Sequence, residues 1–325
     1  MIVPQYWAEG RVQHKRPDKQ ITVRRFGWSD SSEAEAQSMA DGRAQEALDR
    51  ILAGEKLEKR EPKVAYNGAE GVPIREEIIS RHGDAVVTRN VYGALCLNTP
   101  NVLFVDIDID FGPRYDLGCL WPFLISVAAI ISAFVLHSII PVVVWIAVWT
   151  VLGKWVLPAM NAIHEKRSET PQVQALQKIE AFSDTHPDLH LRVYETPAGF
   201  RVLVMNDVFD PTADETGAIF KRLSTDPMYV LMCQRQRCFR ARVSPKPWRI
   251  GISKHLRPRP GVWPIKPERL PIRQKWVAAY EARSEAFASC RFVKTLGSTA
   301  VHPDAESVRA VHDALAKVDS GMPIA

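Results

Sequence analysis

The chain lacks the features that staple or export a secreted protein. Its five cysteines, Cys96, Cys119, Cys233, Cys238 and Cys290, are an odd number with no framework spacing. Such a set argues against a disulfide scaffold and for reduced thiols in a cytosolic setting. Residues 1–15 carry charge and Pro4 but no continuous apolar run, so no signal peptide is expected. No internal repeat is visible.

Acids nearly vanish from 235–275, where thirteen Lys/Arg face the single acid Glu268 in a chain of net charge +5. So dense a basic block attracts polyanions, either nucleic acid or an anionic lipid surface. Charge of either sign is also missing between Asp116 and His164, apart from Lys154. The runs 117–136 and 139–158 are each long enough to span ~30 Å as a helix, the hydrocarbon thickness of a bilayer. One continuous helix would be about twice that length, and His137, Ser138 and Pro141 offer a break. A two-helix transmembrane hairpin at 117–158 is therefore expected. Trp121 and Trp155 fall near one membrane face, flanked by Arg114, Lys154, Lys166 and Arg167, while the far turn has no Lys or Arg. This asymmetry puts both soluble halves, 1–116 and 159–325, and both termini, in the cytoplasm.

In the first half, 20–28 reads as a strand. A helix follows, with Ser32 and Glu35 as a capping box, an apolar stripe from Ala36 to Leu52, and Gly54 at its end. Segment 55–75 is polar and turn-rich, and β-like runs follow at 85–92 and 101–110. In the second half a helix is expected at 171–183. Strands at 190–195 and 200–205 flank a hairpin turn at 196–199, and a helix at 212–224 precedes an apolar run at 228–232. Seven prolines between Pro245 and Pro271 make the basic segment irregular. Helices near 273–289 and 304–317 close the chain. The fold class is α+β: one composite soluble domain with a mixed or antiparallel sheet, interrupted by the apolar hairpin.

Three constellations could carry chemistry. Asp106, Asp108 and Asp110 alternate with Val105, Ile107 and Ile109. On a strand, all three carboxylates share one face. They suit a hard divalent ion, magnesium or manganese (Mg²⁺ or Mn²⁺), or else form the solvated face of an edge strand. The second is the hairpin with Arg192, Tyr194, Thr196 and Arg201, which presents arginines to phosphates or is an ordinary hairpin. The third is the start of the basic block. Arg240, Arg242, Lys246 and Arg249 are candidate phosphate contacts, with Trp248 or Trp263 to stack on a base. Adhesion to anionic lipid is the rival reading of the same residues. Cys233, Cys238 and His255 are too loosely spaced for a zinc site. His302 and His312 are expected at the surface.

Nearly the whole chain resembles a family of uncharacterised bacterial membrane proteins. The likeness is carried by 23–30, 60–78, 88–108, 192–204, 209–211 and 239–249. It implies the bacterial inner membrane as location. The core is also similar to the archaeo-eukaryotic primase superfamily. An apolar strand with a D-x-D pair matches at 103–108, the nucleotide-binding hairpin at 199–204, and Asp210 stands as third acid. That resemblance implies an RRM-like sheet and metal-dependent nucleotidyl transfer, with the metal on Asp106, Asp108 and Asp210. Arg201 replaces the motif's histidine, which keeps a phosphate-binding role and leaves the reaction open. Two functions follow. One is a membrane-anchored protein that binds nucleotide or nucleic acid with a divalent metal. The other is a non-enzymatic membrane scaffold whose basic segment grips anionic lipid headgroups or a partner protein.

Overall fold

A computed structural model describes residues 3–15, 20–61, 72–109, 120–259, 261 and 263–325, without the side chains of 120–124 and 160–170. Asp110, Arg114, Asp116 and Cys119 lie outside the described residues, as do the side chains of Trp121, His164, Lys166 and Arg167. The chain forms two compact units. One joins Met1–Asp108 to Ile179–Ala325, and the other is the intervening Ile109–Lys178.

The first unit opens with a long hairpin. Strand β1 (Tyr6–Lys15) pairs antiparallel with β2 (Gln20–Ser29), from Tyr6↔Ser29 to Lys15↔Gln20. Helix α1 (Glu33–Leu52) lies on it through Ala36, Ala40, Ala44, Ala47 and Leu48. Ser32 caps the helix by accepting from the Glu35 backbone N–H at 3.2 Å. The expected reciprocal half of the capping box is absent, because the Glu35 carboxylate accepts from Ser29 Oγ instead. The small residues set the spacing of helix and hairpin. A Cβ added at Gly27 would sit 2.2 Å from the Ala36 carbonyl oxygen and from the Ala40 nitrogen. Strand β1 had no expectation in the sequence, since its charges interrupt any clean alternation.

Two four-stranded sheets follow, both antiparallel. Strands β3 (Glu77–His82), β4 (Ala85–Arg89) and β5 (Leu95–Thr99) run consecutively. The chain then crosses to β6 (Phe104–Asp108) and leaves for the second unit. That unit holds α2 (Leu120–Val135), α3 (Ile140–Val151), a π-helical turn at Leu152–Val156 and most of α4 (Leu157–Thr185). Strands β7 (His190–Thr196) and β8 (Gly199–Val204) form the expected hairpin. Helices α5 (Asp214–Arg222) and α6 (Pro227–Gln236) precede β9 (Phe239–Arg242). Helix α7 (Leu270–Ser284), β10 (Arg291–Gly297) and α8 (Pro303–Ala316) complete the chain. One sheet has the order β3-β4-β5-β9, the other β10-β7-β8-β6. The class is thus α+β with antiparallel sheets.

Several local differences from expectation have clear causes. The apolar run at 228–232 lies in a helix because Asp226 caps it, accepting from Tyr229 N at 2.7 Å, and Pro227 takes the first turn. Helix α4 begins at Leu157, well before 171, and contains Pro171. Strand β5 is mostly buried on both faces and so lacks the alternation that would reveal it.

Within the second unit α2 and α3 pack against each other, and Trp145 Nε1 donates to Ser126 Oγ at 2.9 Å between them. Among the described residues one helix, Ile140–Ala159, is long and apolar enough to cross a membrane, and none of it is buried in the protein. Helix α2, with 16 residues, is shorter.

The helix-on-hairpin contact can be tested directly. Gly27→Val should destabilise the first unit by about 1–3 kcal/mol, the cost of forcing volume into packed structure. A thermal melt that leaves the midpoint where wild type has it would contradict the close approach.

Candidate functional site: a two-walled cleft

Strand β6 is where the site begins. Val105 and Ile107 are buried, whereas Asp106 and Asp108 point to the opposite face. One edge of β6 pairs with β8, with Asp106 opposite Arg201. The other edge is covered by the start of α6. Asp226 N donates to the Asp106 carbonyl at 3.0 Å, and Tyr229 Oη donates to the Phe104 carbonyl at 2.9 Å. This docking satisfies an otherwise open sheet edge. It also brings the Asp226 carboxylate near enough to raise the pKa of Asp108.

Between β6 and β9 lies a cavity of about 460 Å³. Asp106, Asp108, Arg201 and Arg240 all line it, although long stretches of sequence separate them. Arg242, Lys246, Tyr92 and Trp248 join them there. Asp226 also lines it, a residue the sequence did not single out; its only signal was an Asp-Pro pair at a helix start.

Two of the arginines are committed to acids. Arg201 is 2 % exposed and reaches Asp106 Oδ1 through Nε and Nη2, both at 3.3 Å. Its Nη1 donates to the Arg242 carbonyl at 2.9 Å. Burial opposes the Arg201 charge, but Asp106 outweighs it and the pKa lies above the ordinary value. Arg240 is buried against Glu76, which also accepts from Thr88 Oγ1 at 2.7 Å. Arg192 lies away from the cavity lining and pairs with Asp313 at 3.0 Å.

Arg242, Lys246 and Arg249 differ from these. None makes an ion pair within 4 Å among the described residues. Arg242 Nε and Arg249 Nη1 are buried without a hydrogen-bond partner there. Burial, then Arg242 and Arg249, push the Lys246 ammonium down to about 8. Burial lowers both arginines as well. Three crowded cations with spare donors gain stability from an added anion.

On the facing wall, partial burial, then Asp106 and Asp226, raise the Asp108 pKa, while Lys246 and Arg242 oppose the shift. Asp210 is elsewhere. It is exposed at the start of α5, and its Oδ1 accepts from Thr212 N and Oγ1, both at 2.7 Å. Among the described residues no group of three His, Cys, Asp or Glu is arranged to cage a metal. Asp106 already serves Arg201, which leaves Asp108 and the oxygen of Asp226 that does not cap α6. A pair of carboxylates fits an Mg²⁺ or Mn²⁺ ion that keeps several waters and shares phosphate oxygens with a ligand.

His312 is fully buried, contrary to its expected surface position. Its Nε2 faces Arg201 Nη1 at 3.4 Å and Cys290 Sγ at 3.8 Å, and its Nδ1 pairs with Asp313 Oδ1 at 2.9 Å. Burial lowers the His312 pKa and raises the Cys290 thiol to about 11. Neither lines the cavity, so this Cys–His–Asp order supports Arg201 rather than a nucleophile. His302 caps α8, its Nδ1 accepting from Asp304 N at 3.2 Å. Cys233 and Cys238 are buried thiols with raised pKa, while His255 packs beside Tyr92 and Trp248. Trp263 sits with Arg273 and does not line the cavity. Comparison of the chain with family models, curated proteins and solved structures found no match.

The two acids of β6 should respond oppositely to neutralisation. Asp106→Asn strands the buried Arg201 charge and should cost about 3 kcal/mol. Asp108→Asn should stabilise at pH 7. The raised folded pKa means that the native state binds the proton more tightly than the unfolded chain. The penalty on the ionised form is therefore present at neutral pH. It disappears as pH falls through the folded pKa toward the unfolded value of about 4. Melts of both variants between pH 7 and pH 4 check this; a destabilised Asp108→Asn at pH 7 contradicts it.

Proposed function

We propose that the protein is a membrane-anchored binder of a phosphorylated ligand, a nucleotide or nucleic acid, taken up together with a divalent ion. The observation that carries this reading is the pairing of walls in one cavity. Arg242 and Lys246, with Arg249 beside them, carry no ion-pair partner among the described residues, and Arg242 and Lys246 line the cavity together with Asp108 and Asp226. Arg242 and Lys246 would take phosphate oxygens, and the two carboxylates would hold the ion that the phosphates bring. Such an ion would neutralise phosphate charge and orient the ligand. The sequence resemblance to primases at 103–108 and 199–204 supports the same ligand class, although Asp210, its third acid, lies outside the cavity, and Arg201 is held by Asp106 and does not take part.

Anchorage by a transmembrane hairpin is supported by chain topology. Residues on both sides of the insertion build the same unit, since β6 pairs with β8 and β5 with β9. An insertion that crosses a bilayer between them must cross an even number of times. Ile140–Ala159 supplies one crossing. The run 117–136, of which α2 is the described part, supplies the other. With no Lys or Arg in the far turn, the positive-inside rule favours a cytoplasmic cleft, and the resemblance to bacterial membrane proteins favours the inner membrane. A lipid- or protein-gripping scaffold is the second reading, favoured by the exposed Lys254, Arg257 and Arg259.

Two experiments test these parts separately. Reporter fusions after residue 110 and after 325 should read cytoplasmic, and one at Ser138 external; opposite signs for the first two would leave a single crossing. For the cleft, a ribonucleoside triphosphate with Mg²⁺ should raise the melting midpoint of the detergent-solubilised chain through native-state linkage. Lys246→Met should reduce the rise, and Asp108→Asn should remove its dependence on Mg²⁺. Equal responses in all three proteins would leave the scaffold reading.

A further inference from the structure

Resting on the phosphate-binding reading above, we infer that the cleft takes a single nucleoside phosphate, its base held against Trp248 and Tyr92 at the mouth, rather than a continuous strand. Both rings line the cavity, yet Tyr92 is 44 % and Trp248 45 % exposed. They are the two most exposed aromatic rings described in the first unit. Large rings left open to water beside a charged cavity are what a ligand with a flat apolar part would cover.

The corner is built rigidly. Asn90 Oδ1 accepts from three successive backbone N–H groups, those of Tyr92, Gly93 and Ala94, at 3.0–3.1 Å. Gly93 has φ +107°, and the Trp276 ring occupies the place a Cβ would need. The loop that carries Tyr92 is thus held by Asn90 from inside and by Trp276 from outside. Trp248 stands on the short turn Pro247–Ile250, with the Tyr92 ring against it edge-on at 5.4 Å and His255 at 5.9 Å. The rings present a fixed surface that loses little freedom when something stacks on it.

Lys246 joins this corner to the charged interior. Its ammonium lies 5.6 Å from the Trp248 ring centre, and its charge acts on Asp108. Acidic wall, cations and aromatic corner are thus contiguous in the order that ion, phosphate and base have in one nucleotide. Beyond the cations lie Asp108 and Asp226, so the next phosphate of a strand would meet carboxylates instead of a basic track. The volume of about 460 Å³ also falls in the range of small-molecule sites. Stacking accepts any base face, so discrimination among bases should be weak.

The experiment is calorimetry on the full chain in detergent with Mg²⁺ and three probes: ATP, inorganic tripolyphosphate and a single-stranded DNA ten-mer. Wild type should bind ATP more tightly than tripolyphosphate. Trp248→Ala should weaken ATP about ten-fold and leave tripolyphosphate unchanged, with Trp248→Phe restoring most of the loss. Tyr92→Ala should act in the same direction. If both alanine variants bind ATP as wild type does while tripolyphosphate still binds, the base position is overturned and the phosphate site stands. If the ten-mer binds more tightly than ATP, the single-nucleotide assignment is overturned. If no probe binds, the phosphate site itself fails and takes this inference with it.

Discussion

The buried guanidinium of Arg201 is the contact on which the first unit is organised. It comes from β8, reaches Asp106 on β6, donates to the backbone oxygen of Arg242 on β9, and meets His312 on α8. One charge thereby connects strands of both four-stranded sheets and the last helix. A buried ion is stable only where several dipoles and a counterion converge on it, so these elements have one mutual arrangement that satisfies it. Because Arg201 takes Asp106 out of circulation, Asp108 is left as the available acid of β6. Because it also holds the Arg242 main chain, it sets the position from which the Arg242 side chain enters the cleft.

A second layer of pairing takes two arginines of the basic segment out of the free charge. Arg240 is bound to Glu76, and Arg273 to Glu77 at 2.8 Å. Two of the thirteen cations of 235–275 thus neutralise acids of β3 and the segment just before it, while others, Lys254, Arg257 and Arg259 among them, stay exposed. What remains at the cavity is local: Arg242 and Lys246, with Arg249 beside them, whose pKa values burial lowers.

The parts legible in the sequence were those with local physics behind them. Alternation on β6 placed Asp106 and Asp108 on one face, and the Gly199 turn announced the β7–β8 hairpin. The stripe on α1 and its Ser32 cap were equally plain. The illegible parts depend on distant partners. Asp226 enters the site because α6 covers an open strand edge, and nothing near Asp226 reveals that edge. Asp210, which motif order favoured, spends its carboxylate on an Asx turn with Thr212. His312 reads as a polar residue of a terminal helix; beside its neighbour Asp313, its burial depends on Arg201, which arrives from β8. Strand β5, mostly buried on both faces, shows no period to detect.

The pairing of β6 with β8 and of β5 with β9 also fixes a sequence of events during synthesis. When β6 emerges from the ribosome, neither of its edges has a partner, and both arrive only after the apolar insertion has been made. At roughly 5–20 residues per second, translation keeps this strand waiting on the order of ten seconds. Throughout that interval Asp106 and Asp108 stand on a nascent chain with no Arg201 to meet them. Charged side chains on an unpaired edge strand disfavour pairing with a wrong strand, and Asp106 and Asp108 are such side chains. The acids that line the finished cleft are thus also the charges on the strand that waits for both its partners.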